Sequence, residues 1–290
     1  MPDAGSASVA QQRLASELRR LRLRERRTGK DVAERLGWSA AKLSRIERGL
    51  IGVKPEDLIR LAGIYGLSDE RTADLVALAE ESREPDVIDE LGVDLPADHA
   101  EFVRAENEAE AVFVWEPQMV PGLLQIEGYT RGLLGPWMKI FAKPWAELDR
   151  RVQTTRIRRQ LLDRDPPLQV SVVIDESVLL RRFASASVMR EQLLFLAEIS
   201  RRDNLDLRIL RLAQDQVVGT GTFAYFSFAR AHGTPMQDRV ALEHLHDTTF
   251  VKVEAEVNKY RHIRDELQRA ALSQQASRDL LTSVARGRWS

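Results

Sequence analysis

The sequence contains no cysteine. Disulfides, thiolate zinc sites and cysteine nucleophiles are therefore excluded. No apolar run approaches the roughly 20 residues that a helix needs to span a bilayer. The opening stretch, MPDAGSASVAQQ, lacks an apolar core behind a basic start and does not read as a signal peptide. It reads as a loose arm over residues 1–12 of a cytoplasmic protein with no membrane partner. There is no Walker loop and no G-x-S-x-G elbow. The lone GTG at 219–221 reads as a turn and not as a phosphate cradle.

What is present points elsewhere. A length of 290 residues leaves room for about two domains. An apolar content of 43% suits a protein with real cores. The net charge of −1 is uninformative, but its distribution is not. Residues 13–54 carry 13 Lys/Arg against 5 Asp/Glu, and residues 55–110 carry 4 against 17. A basic front followed by an acidic stretch points to a polyanion partner at one end.

The basic front has the spacing of short helices. Leu14, Leu18 and Leu21 form one apolar stripe on a helix that should reach about Arg27, with Arg19, Arg20, Arg22, Arg24, Arg26 and Arg27 outside. Thr28 is placed to cap a second helix holding Val32, Ala33 and Leu36, and Gly37 makes a turn. In GWSAAKLSRIERG, Ser39 can cap a third helix, Leu43 and Ile46 face a core, and Gly49 stops it. Pro55 suits the first turn of a fourth helix, with Leu58, Leu61, Ala62 and Tyr65 inward. Ser68 should cap a fifth containing Leu75, Val76, Leu78 and Ala79. Ala40 and Ala41 keep bulk off the front of the third helix. Lys42, Ser44 and Arg45 could then reach base edges or phosphates in a major groove, and the amide end near Ser39 could hold a phosphate.

Residues 13–67 resemble the Cro/C1-type (XRE) helix-turn-helix family, most closely over DVAERLGWSAAKLSRIERG. That resemblance implies that Glu47, ending the third helix, pairs with Arg22 of the first and fixes how the third helix is presented. Gly29 stands where the family often carries a backbone-contacting Gln, and Lys30 is the expected substitute. On this reading Arg19, Arg20, Arg22, Lys30, Ser39 and Arg48 position the protein on phosphates. Lys42, Ser44 and Arg45 read bases, with Ala40 and Ala41 permitting approach.

Residues 83–97 read as an acidic, solvated linker, and a helix is expected from Asp98 to Ala111. Beyond it the pattern is mixed. Pro117 and Pro121–Gly122 demand turns, with Met119 and Val120 in extended or irregular backbone. Helices are expected over 123–134 and 145–162, with others in SVMREQLLFLAEISRR, from about Glu254 to Ala271, and over 275–286. Val170–Ile174, LDLRILRL, the aromatic GTFAYFSFA and one or two segments of RVALEHLHDTTFVKV read as strands. This order argues for an α+β domain over 98–290, a four- to five-stranded sheet covered by helices, behind an all-α five-helix domain over 13–82.

EPQMVPGLLQIEGYTRGLL, RRVQTTRIRRQLL, VVIDESVLLRR, MREQLLFLAEIS and GTFAYFSF resemble, in order, the carboxy-terminal domain of an actinobacterial, Streptomyces-type regulator family that includes WhiJ-like proteins. Trp115 stands where Tyr is common there, and Ile126 where Thr is common. The resemblance implies a transcription regulator, often working with a small partner protein encoded beside it; double-stranded DNA is the expected partner of the front module, and a homodimer is the default because such modules usually read paired half-sites. No enzyme activity, cofactor or metal is expected. Asp175–Glu176 follows a strand end, where catalytic acids often sit, but Glu176 is expected to cap or to pair with Arg181 or Arg182. His244 and His246 in EHLH would share one face of a strand without an evident third ligand. Phe223, Tyr225, Phe226 and Phe228 read as core, with a ligand pocket as the alternative.

Overall fold

The computed structural model describes residues 8–83, 97–213, 221–244 and 247–290. Most of the acidic linker, together with residues 1–7, His246 and the first two residues of GTG, lies outside the described residues. The chain forms two compact units. Unit 1 comprises Met1–Glu108 with Phe228–Gln237, and unit 2 comprises Ala109–Ser227 with Asp238–Ser290.

Unit 1 is helical. α1 (Val9–Arg24) starts within the segment expected to be a loose arm, because the Ser8 hydroxyl accepts the Gln11 amide and Val9 and Ala10 are buried. It stops three residues short of the expected Arg27, and Arg26 turns to a positive φ of 51°. α2 (Gly29–Leu36) opens with a capping box between Thr28 and Asp31. Gly37, at φ 69°, gives the left-handed turn that leads into α3 (Ala40–Glu47), and Gly49, also at φ 69°, follows it. α4 (Pro55–Ile64), α5 (Asp69–Glu81, capped by Ser68) and α6 (Ala97–Glu108) complete the helices. Leu14, Leu18, Leu21, Val32, Leu43, Ile46, Leu58, Leu61, Tyr65, Leu75 and Leu78 close one core. The first five helices follow the expected five-helix pattern, and α6 joins them.

Residues 228–237 also belong to this unit and are tied into it by arginines. Buried Arg13 donates to the carbonyls of Ala229 (2.6 Å) and Thr234 (2.9 Å). Arg71 reaches the His232 carbonyl at 2.6 Å, Thr234 Oγ1 at 2.8 Å and Glu17 at 3.0 Å. By their contacts, α6 and this short connection group with the amino-terminal helices.

Unit 2 is α+β, with a sheet of six strands where four or five were expected. The strands are β1 (Ala111–Glu116), β2 (Gln169–Asp175), β3 (Leu205–Leu210), β4 (Phe223–Ser227), β5 (Arg239–Glu243) and β6 (Thr248–Val251), in the order β3-β2-β1-β4-β5-β6. β1, β2 and β3 are parallel; β4, β5 and β6 continue the sheet antiparallel. Parallel neighbours need long crossovers. α7 (Glu127–Ile140) and α8 (Trp145–Arg159) lie between β1 and β2, and α9 (Glu176–Leu180) and α10 (Ala186–Ile199) between β2 and β3. α11 (Glu254–Ala270) and α12 (Gln274–Gly287) follow β6. The uncounted strand is β1, the centre of the sheet. The helix expected over 123–134 divides into a 3-10 turn at Gly122–Leu124 and α7, and α8 gives way to a 3-10 turn at Gln160–Leu162. Among the described residues no helix is long and apolar enough to cross a membrane.

Candidate nucleic-acid interface

The third helix is built to expose its front. The Ser39 hydroxyl accepts the Lys42 amide at 3.1 Å, which caps the helix and leaves the hydroxyl proton available to a ligand. Leu43 and Ile46 anchor the helix in the core, 1% and 2% exposed. Ser39, Ala40, Ala41, Ser44, Arg45 and Arg48 all lie on the exposed side. The first two amides of the helix point the same way as its positive dipole end, where an anion is favoured.

The angle of this face is fixed from behind. Arg22 of α1 grips Glu47 with two parallel bonds, Nε to Oε1 at 2.6 Å and Nη2 to Oε2 at 2.7 Å. Its remaining nitrogen reaches the Arg27 carbonyl at 3.0 Å. A bidentate guanidinium–carboxylate pair sets orientation as well as energy, and the hydrogen bonds that Arg22 donates to Glu47 raise the Arg22 pKa above its ordinary value. Tyr65 packs beside this pair, and burial pushes its phenol well up. Arg22 is therefore committed to the fold and not held out for a phosphate.

Two further expected contacts are held by carboxylates. Arg20 makes a double bond pair with Glu17, both contacts at 2.7 Å. Lys42 turns back to Asp57 at the start of α4, 3.0 Å away, with its ammonium 3.8 Å from the centre of the Trp38 ring. Lys30 is exposed and stands 3.9 Å from Glu34, and Arg19 is exposed. Asp57 is the residue that sequence reasoning missed. Its only signal is an acid in the first turn of the next helix.

In unit 2 the expected chemistry resolves into structure. The Asp175 carboxylate accepts the Ser177 amide at 2.8 Å and caps α9. Glu176 pairs with Arg211 at 3.0 Å and accepts the Leu212 amide, in place of the expected Arg181 or Arg182. His244 sits in the turn between β5 and β6, bonded through its amide to the Asp247 carbonyl, and not on a strand face. Among the described residues no group of three His, Asp or Glu is arranged to hold a metal. Phe223, Tyr225 and Phe226 are buried, and Phe223 meets Tyr260 edge-on at 5.1 Å.

Two known families match the chain, one over each part. A family described as a helix-turn-helix domain matches residues 13–75. A second, described as "Domain of unknown function (DUF5753)", matches residues 99–283, well over half of the chain. The chain belongs to the DUF5753 family. The DUF5753 match begins within α6 and covers the whole six-stranded sheet. No curated protein and no solved structure gives a significant match.

Proposed function

We propose that this protein is a sequence-specific, DNA-binding transcription regulator of the Cro/C1 (XRE) type, acting in the cytoplasm. The observation that carries the reading is the exposed front of α3, with small residues at its start and Ser44, Arg45 and Arg48 beyond, presented by the buried Arg22–Glu47 clamp. Arg45 is the base-reading candidate, and Arg19, Lys30, Ser39 and Arg48 are the phosphate contacts. Lys42 joins them once DNA draws it from Asp57. A homodimer reading paired half-sites is the natural assembly for such a module. The second unit, akin to the WhiJ-like actinobacterial regulators, senses a ligand or holds a small partner protein and performs no catalysis.

The test is a selection from a random duplex pool at fixed salt, with wild type and Arg45→Ala side by side, since phosphate contacts make affinity steeply salt-dependent. Wild type should enrich one motif. The mutant should lose about 1–3 kcal/mol and blur a single base position. An equal loss on every sequence makes Arg45 a phosphate contact; no enrichment by either protein removes the reading.

The second reading is an antitoxin-like component whose main task is to hold a small protein, with DNA binding secondary. It is favoured by one surface of unit 2, where Ile140, Phe141 and Trp145 are 73%, 45% and 56% exposed. Such apolar surface marks interaction sites. Co-purification of a small protein without sequence-selective DNA binding would decide for it.

A further inference from the structure

Glu116 ends the central strand of the unit 2 sheet, where parallel and antiparallel halves meet. It is 4% exposed. The pairing of Trp115 with Phe223, and of Phe223 with Leu242, brings Thr222 and Glu243 level with it at the same edge of the sheet. A cavity of about 580 Å³ opens there, within the usual size of small-molecule sites. One end carries the two carboxylates, Glu116 and Glu243. The other wall is apolar: Met119, Leu133, Leu134 and Trp137.

We infer that this cavity is a binding site for a small organic cation, an amine joined to an aromatic or aliphatic body. The inference rests on the ligand-sensing reading of unit 2 for its consequence on DNA, but not for the site itself. An ionised carboxylate has about four acceptor positions. Among the described residues three donors reach Glu116: the Thr222 hydroxyl at 2.8 Å, the Gln118 amide at 3.2 Å and the Met119 amide. A position remains for a ligand's N–H. Burial raises the Glu116 carboxyl to about 7; the Thr222 hydroxyl opposes that rise and the neighbouring Glu243 adds to it. An ammonium group placed between the two carboxylates relieves both the burial and the repulsion, whereas an anion would add to them. Arg151 also lines the cavity, but Glu147 holds it at 3.3 Å. The Trp137 ring offers the body of the ligand an aromatic wall, and can itself favour a cation over its face.

Tryptamine, its alcohol analogue tryptophol and its acid analogue indole-3-acetate share one body and differ in the charge of one group. Calorimetric titration of the full chain at pH 8 should show tryptamine binding at least about tenfold tighter than tryptophol, as a charge-assisted hydrogen bond requires. Indole-3-acetate should not bind. Glu116→Gln should abolish the preference for the amine. Should that variant fail to fold, the exposed Glu243→Gln should still weaken tryptamine, and Trp137→Ala should weaken tryptamine and tryptophol alike. Equal binding of amine and alcohol overturns the assignment. So does tryptamine binding untouched by Glu243→Gln and Trp137→Ala, or no tryptamine binding at millimolar concentration. Tryptamine binding without any change in DNA affinity keeps the site and removes the sensing role instead.

Discussion

Glu17 and Glu47 in unit 1 are buried against arginines, whereas Glu116 in unit 2 is buried as deeply against a hydroxyl, backbone amides and a second carboxylate. Burial alone would raise the carboxyls of Glu17 and Glu116. At Glu17 the hydrogen bonds from Arg20 and Arg71 overcome burial, and its carboxyl lies below the ordinary value. Among the described residues no such cation pairs with Glu116, and its carboxyl rises to about 7. A buried carboxylate with its own arginine is a fastening. On the binding-site proposal above, one without is a place for a cation.

The sharpest way to break the contrast is to remove the fastening. Glu47→Gln leaves the partly buried Arg22 without its counter-charge and should cost about 2 kcal/mol of stability in urea unfolding. Replacing both partners by apolar residues, Arg22→Met with Glu47→Leu, should cost clearly less. A single-mutant loss under about 0.5 kcal/mol would show that the pair is idle.

The second way is pH. The folded-state value of Glu116 lies above the unfolded value, so between about pH 4.5 and 7 the folded chain holds a proton that the unfolded chain has released. Stability from this group is therefore full at the acidic side and falls as pH rises, by about 1.4 kcal/mol per unit and on the order of 3 kcal/mol in all, then levels off. Glu243 adds to the rise, and His244 and Arg151 line the same cavity. Glu17 contributes in the opposite sense, and its share is lost as pH falls. Glu116→Gln should flatten the fall, so its stability relative to wild type should be greatest at pH 8 and shrink towards pH 5. A constant difference across that range would mean that Glu116 titrates normally.

The smallest effect is the most local. Asp57→Ala releases Lys42 from its partially exposed ion pair, and stability should change by less than about 1 kcal/mol. Affinity for non-specific duplex should rise, and the salt slope should steepen by about one contact. An unchanged slope would place Lys42 outside the DNA footprint.

Unit 1 was legible because its signals are local. Ser39, Thr28 and Ser68 cap where their sequence neighbours say they should, and the Leu14–Leu18–Leu21 stripe needs only the helical period. The resemblance to a known helix-turn-helix supplied the Arg22–Glu47 pair. The Lys42–Asp57 contact was not legible, because an exposed lysine meets whichever acid the tertiary fold brings near. β1 was missed for a different reason. A central strand is covered on both faces, so VFVWE shows no alternation, and the prolines after it suggested a loop. Missing β1 also hid Glu116. In the sequence it is one more acid before a proline; only its place at the end of the middle strand makes it a buried group facing a cavity.

The arginine ties between α1 and residues 228–237 also set a timetable. Arg13 and its acceptor at Ala229 are separated by 216 residues. On a ribosome adding about 5–20 residues per second, the guanidinium waits on the order of ten to forty seconds for that carbonyl to be made. The helices of the helix-turn-helix unit can collect their leucines early, but the polar seat of α1 is completed only after β4 of the other unit has been synthesised. The last fastening of the amino-terminal unit is thus delivered late, by the far half of the chain.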